Sequence, residues 1–194
     1  MMSEKIKKAE RNINKPARVF IFYSYVAEWW AKAIVWITGN QLPDRSDAYS
    51  HMGIGFDMSN GSAEYYEAIV QKGFIGPQPI KKLIDKINAS DGRLKVEYLD
   101  CKEFDAIKLH GICKTWVGRK SYSEWQLIRM WFFERFGRWV GLHVRRTPDR
   151  LVCSEAVARL IYEIRYDLTD EIRTRFDEVN PNSAWRKWLK IQKV

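Results

Sequence analysis

No apolar run in this chain of 194 residues approaches the length of about 18 needed to span a bilayer. The longest, Val19–Tyr23 and Ala33–Ile37, are far shorter. Residues 1–15 are charged throughout and hold no apolar h-region, so no secretory signal peptide is expected. The expected location is cytoplasmic, or virion-associated if a phage encodes the chain. Cysteine is scarce and odd in number: Cys101, Cys113 and Cys153, with no C-x-x-C. Histidine is limited to His51, His110 and His143. A disulfide framework is thereby excluded, a structural zinc site finds no ligand spacing, and reduced thiols are expected. Internal repeats and low-complexity stretches are also missing.

What is present is basic and aromatic. Lys and Arg number 33 against 24 Asp and Glu, a net charge of +9, and Trp, Tyr and Phe occur nine times each. At 46% hydrophobic residues the chain can fill a core, and its length suits one ordinary domain. Surplus positive charge with aromatics suits nucleic acid, an anionic membrane or a bacterial wall polymer. Nucleic acid is the weakest of these, because there is no helix-turn-helix, zinc or RNP signature.

The pattern along the chain predicts an α+β fold. Residues 1–16 form a charged arm with Lys5, Lys7, Lys8, Arg11 and Lys15 among Glu4 and Glu10. Val19–Tyr23 is β-branched and aromatic, hence a strand, and Val26–Ile37 places Trp29, Trp30, Ala33, Ile34 and Ile37 at helical spacing before a Gly39–Asn40 stop. From His51 the chain alternates, with Met52, Ile54, Phe56 and Met58 on one face and His51, Gly53, Gly55 and Asp57 on the other. Ser59-Asn60-Gly61-Ser62 turns into a second strand, Tyr65–Val70, which Gly73 and Gly76-Pro77 break. Ile80–Ile87 reads as a short helix and Leu94–Leu99 as a strand. Phe104–Trp116 reads as a helix with an Ile107, Ile112, Cys113, Trp116 stripe, and Ser123–Val140 as a long aromatic helix. A helix starts near Cys153 with Ala156, Val157, Leu160, Ile161 and Ile164 inward, and a basic aromatic helix with Trp185 and Trp188 follows Asn180-Pro181.

Cys153 is the candidate nucleophile. At the start of a helix, unpaired backbone N–H groups and the helix dipole favour a thiolate, although Glu155 two residues on works against it. Cys113 on its stripe and Cys101 at a strand end read as packing residues. His51 shares its face with two glycines, which leave room for another element to approach, and is poorly explained as core filler. His110, three residues before Cys113, makes a rival dyad, and His143 sits in a basic loop. A thiol–imidazole pair needs a third group to orient the ring, and Glu67 on the second hairpin strand is the candidate. His51 and Glu67 share a face only if odd residues of the two strands oppose each other. That requires a hairpin loop of three or five residues containing Gly61, with Glu64 pointing the other way.

Three segments carry a resemblance. Ala48-Tyr49-Ser50-His51-Met52-Gly53-Ile54-Gly55, then Tyr66-Glu67-Ala68 followed by Gly73, then Val152-Cys153-Ser154-Glu155-Ala156-Val157-Ala158 resemble the circularly permuted papain-like enzymes. These are the YiiX-like branch of the NlpC-type superfamily, distant relatives of lecithin:retinol acyltransferase, in which His precedes Glu and Glu precedes Cys. The likeness extends loosely over residues 19–181, and departs where the family often opens its first strand with Gly-Asp and this chain has Ala17-Arg18. The resemblance implies a single permuted papain-like catalytic domain over residues 17–194, with a small antiparallel sheet or barrel packed on helices. It implies a thiol hydrolase or acyltransferase acting on amides or esters, wall peptide or lipid, with no metal or organic cofactor. Cys153 would be the nucleophile, His51 the base and Glu67 the residue that orients it, with the Cys153 backbone N–H as an oxyanion donor. Tyr49, Trp125 and Trp131 are candidate substrate contacts, and Arg129, Arg135 and Arg138 could border a membrane-facing patch. A binding or virion structural protein on an inactive scaffold of the same kind is the other class of function.

Overall fold

Strand alternation and a three-residue loop build the centre of the molecule. The computed structural model describes residues 15–38, 48–122 and 150–164. Five strands form one sheet: β1 (Pro16–Tyr25), β2 (His51–Met58), β3 (Ala63–Ile69), β4 (Gly73–Pro79) and β5 (Arg93–Tyr98). Their order is β4-β3-β2-β1-β5, with all neighbours antiparallel. The described helices are α1 (Trp29–Thr38), α2 (Ile80–Ala89), α3 (Glu103–Trp116) and α4 (Cys153–Tyr162). A short parallel pair, β6 (Ser121–Tyr122) and β7 (Arg150–Leu151), completes the set. The class is α+β. Among the described residues no helix is long and apolar enough to cross a membrane. The helix expected at Ser123–Val140, the final helix and most of the arm of residues 1–16 lie outside the described residues.

β1 is apolar on both sides because both faces of the sheet are covered. Val19, Ile21 and Tyr23 stand with Met52, Ile54 and Phe56 on one face, and Phe20, Phe22 and Ser24 stand with Gly55, Gly53 and His51 on the other. The first face packs against α3 and α4 through Ala106, Leu109, Cys113, Cys153, Ala156 and Leu160. The second packs Phe20, Phe22 and Tyr65 against Leu83 and Ile87 of α2. β1 reaches back to Pro16, the last residue of the expected arm.

The hairpin register is the expected one. Gly53 opposes Glu67, Gly55 opposes Tyr65 and Asp57 opposes Ala63. Met58 N–H donates to the Ser62 carbonyl at 2.8 Å, which closes a three-residue loop with Gly61 at φ +81°. Asn60 Oδ1 accepts from Ser62 N–H at 3.0 Å and stiffens the turn.

Two expectations are corrected. Gly73 and Gly76-Pro77 do not end the sheet: Gly73–Pro79 is strand β4. Tyr65 opposes Gln78 and Glu67 opposes Ile75, so Gly76 and Pro77 together face Tyr66 in a bulge. A bulge tolerates a proline that has no N–H for the ladder. Second, α3 buries Ala106, Leu109, His110 and Cys113, while Ile107 is 40% exposed. Ile112 and Trp116 of the expected stripe pack against the same cluster as Cys113, so the inward face differs by the loss of Ile107 and the gain of the paired His110. The room that Gly53 and Gly55 leave is taken, as expected, by the close approach of another element. A Cβ on Gly53 would overlap the Phe22 ring and the Tyr66 carbonyl oxygen, and one on Gly55 the Phe20 ring. The neighbouring strand's aromatic rings take the space that the glycines free.

That crowding sets a test. Gly53→Ala should destabilise the fold by about 1–3 kcal/mol through overpacking. Gly111→Ala, in α3 with nothing near the added methyl, should stabilise it by about 0.5–1 kcal/mol. Chemical denaturation of both variants measures the difference, and equal stabilities would contradict the packing described.

Candidate active site

His51 opens β2 opposite Ser24 of β1. The residue before it is tied down, with Ser50 N–H donating to the Ser24 carbonyl at 3.1 Å. Glu67 stands opposite Gly53, so it is the diagonal neighbour of His51 on the same face. With no side chain on Gly53 between them, the ring and carboxylate meet, His51 Nε2 to Glu67 Oε2 at 2.7 Å. Both are secluded, with side-chain exposures of 16% and 6%.

Cys153 comes from the other side of the sheet. It is the first residue of α4, after Val152 in an extended conformation, and it packs against the face that carries Ile54 and Tyr66. Pairing between β2 and β3 stops at Gly53–Glu67, so the start of β2 projects beyond its neighbour. There the thiol reaches the His51 ring and hydrogen-bonds to it, with Met52 and Ser154 backbone N–H groups also donating to the sulfur. With Nε2 committed to Glu67, Nδ1 is the ring nitrogen available to sulfur. Glu155 lies buried in the first turn, and Arg159 Nη2 holds its Oε1 at 2.5 Å. Its charge is therefore compensated within the helix.

The electrostatics follow from that enclosure. Burial alone would push the Cys153 thiol up, but the His51 charge, the His51 hydrogen bond and the two backbone amides bring it below the ordinary thiol value. Burial alone would push the His51 ring down, but the Cys153 thiolate and the hydrogen bonds and charge of Glu67 raise it to about 10. Glu67 is held below the usual carboxylate range, because the His51 bond and charge, with the Lys86 and Lys82 charges from α2, outweigh burial. Each shift runs toward the charged form: thiolate, imidazolium and carboxylate. Beside Glu67, the Tyr65 hydroxyl is pushed up to about 12 by burial and by the carboxylate charge. Its ring packs edge-on against Phe22 at 5.4 Å.

The structure thus brings Cys153, His51 and Glu67 together. Tyr49 is half-buried, its ring 5.8 Å from that of Tyr23, and it packs in the cluster that contains Met52 and Val157. Trp125, Trp131 and His143 lie outside the described residues. The rival pair does not form a second thiol site. His110 Nε2 turns to Glu64 Oε1 at 2.5 Å, and burial drives the Cys113 thiol well above its ordinary value. Burial also raises Cys101. The Met52 amide and the Lys82 and Lys86 charges were not singled out from the sequence. The pairing of Lys82 and Lys86 four apart beside the buried Leu83 and Ile87 is the signal that could have found the lysines.

No protein-family model, curated protein or solved structure matches the chain.

A lowered thiol makes alkylation a direct readout. Between pH 6 and 8, iodoacetamide should modify Cys153 at a rate that falls only slowly toward acid. At pH 7, His51→Ala should reduce that rate roughly tenfold or more, as the thiol returns to its ordinary range. Peptide mass spectrometry should find Cys113 unmodified while the protein is folded. A wild-type rate that rises tenfold per pH unit up to pH 8.5 would contradict the thiolate state.

Proposed function

We propose that the chain is a thiol hydrolase or acyltransferase that acts on an amide or ester through a covalent thioester on Cys153. The observation that carries this reading is the His51 imidazole held between a buried thiol and a buried carboxylate. Such a charge-paired thiolate is a strong nucleophile whose partner can deliver a proton to a leaving group. The resemblance to circularly permuted papain-like enzymes, in the order His51, Glu67, Cys153, supports the same reading and the same fold. Tyr49, Trp125 and Trp131 are the proposed substrate contacts.

The residues divide the work as follows. Cys153 Sγ attacks the carbonyl carbon, forming the carbon–sulfur bond and placing a negative charge on the carbonyl oxygen. Backbone N–H groups at the start of α4 are suited to that charge, the Cys153 N–H first among them. As the bond to the leaving nitrogen or oxygen breaks, its electron pair takes the proton from His51 Nδ1. Water or another acceptor then gives its proton to Nδ1 and attacks the thioester, releasing the acyl product and restoring the thiolate. Glu67 accepts the Nε2–H bond throughout, which fixes the tautomer and steadies the imidazolium. The chemistry requires no metal or organic cofactor. Wall peptides and acyl lipids are the proposed substrates, and the net charge of +9 suits either an anionic membrane or a wall polymer.

Intact-mass measurement during reaction with muropeptides and with short-chain nitrophenyl esters tests the reading. An acyl adduct on Cys153 should appear with one of the two panels and disappear in Cys153→Ser and His51→Ala. Glu67→Gln should lower turnover by about 10²-fold by weakening control of the ring. Absence of any Cys153 adduct with either panel would sink the proposal and favour a binding role on this scaffold.

A further inference from the structure

A second histidine–glutamate pair lies across the sheet from the first. Glu64 stands on β3 three residues before Glu67 and points to the opposite face, toward α3. His110 of α3 donates to Glu64 Oε1 at 2.5 Å, and the Tyr66 hydroxyl donates to the same oxygen at 3.2 Å. The His110 ring is 6% exposed and sits edge-on to Phe56 at 5.0 Å and Tyr66 at 5.9 Å. Burial, aided by the Lys114 charge, holds the imidazole below the ordinary histidine range against the pull of Glu64. Nε2 faces the carboxylate and is the nitrogen that carries the donated N–H.

Placing a polar pair inside a packed core costs desolvation that apolar residues would avoid, so its value lies in geometry. Two features show what it holds. The ladder from β3 to β4 is interrupted by the bulge opposite Tyr66, between Glu64 and Glu67. The register with β4 shifts at Tyr66, and the Glu64 bond adds a second tie, from the strand to α3. The same α3 face, through Ala106, Leu109 and Cys113, belongs to the cluster that holds Cys153, Ala156 and Leu160 of α4. One bond thus joins the strand that bears Glu67 to the helix that backs Cys153.

We propose that Glu64 and His110 are positioning residues for the thiol site, their hydrogen bond setting where Glu67 and Cys153 stand about the His51 ring. The proposal rests on the thiol chemistry given above, and neither residue touches the reacting atoms.

The test compares His110→Phe, His110→Gln and the double replacement Glu64→Met with His110→Phe. One readout is the pH profile of Cys153 alkylation. A second is the NMR resonance of the His51 Nε2 proton bonded to Glu67, and a third is thermal unfolding. His110→Phe should move the alkylation midpoint toward the ordinary thiol range by about one pH unit, a tenfold loss of thiolate below it, and shift the His51 proton. His110→Gln, which keeps an N–H for Glu64, should restore both. The double variant removes the unpaired carboxylate and so should recover melting temperature without recovering the profile.

A structural role alone would lower the melting temperature and leave the profile and resonance of the folded variants at wild-type values, and that result overturns the proposal. Should His110→Phe fail to fold, the double variant is read in its place. If that also fails to fold, the pair is structural and the proposal falls. A wild-type Cys153 that titrates as an ordinary thiol defeats the thiol reading, whereas a low wild-type value that no variant moves defeats only the positioning role. The His51 resonance reads positioning in both cases.

Discussion

The odd-on-odd register of the β2–β3 hairpin is the constraint from which the site follows. A strand shows alternate residues to opposite faces, so a slip of one residue would send Glu67 to the face of Glu64 and leave His51 without its carboxylate. The register is set locally. Gly61 adopts the left-handed conformation that a three-residue loop needs, and Asn60 braces the turn with its side-chain oxygen. Packing then makes it hard to leave, since Phe20 and Phe22 fill the places over Gly55 and Gly53 on one face and Tyr66 and Phe56 pack edge to face on the other.

The electrostatics of the site depend on contributions from both faces. β3 brings a carboxylate from the α2 side and α4 brings a thiol from the other, and they meet at the end of β2 that extends past its neighbour. A single buried charge there would be expelled by desolvation. Three groups in a row, with backbone amides on the sulfur, each shift their neighbours toward the charged form. The helix start contributes its amides without a side-chain cap, which leaves N–H groups of its first turn open to the thiol.

The parts of this fold that were legible in the sequence are those with a strong local period or a special turn. His51–Met58 alternates cleanly, Val19–Tyr23 is a β-branched and aromatic run, and Ile80–Ala89 and Cys153–Tyr162 carry helical stripes. Strand β4 was not legible, because Gly73, Gly76 and Pro77 locally disfavour a strand and only the bulge opposite Tyr66 reconciles them with the ladder. On α3 the expected Ile112, Cys113 and Trp116 do face the core, and the part not legible is His110. His110 looks polar by itself, and Glu64, 46 residues away in the chain, is what makes it a core residue. Gly53 and Gly55 signal room for another element, and only the fold shows that the rings filling it come from a strand some thirty residues earlier.

The sequence by itself determined the class of fold, the hairpin with its register, and the position of Cys153 at a helix start, because each depends on residues near one another in the chain. It also singled out His51 and Glu67, since a hairpin ties facing residues together within one turn. Only the tertiary structure decided that Cys153 meets His51, that His110 pairs with Glu64 inside the core, and that β4 joins the sheet. Those outcomes depend on contacts between segments, where burial and pairing override what each residue would prefer alone.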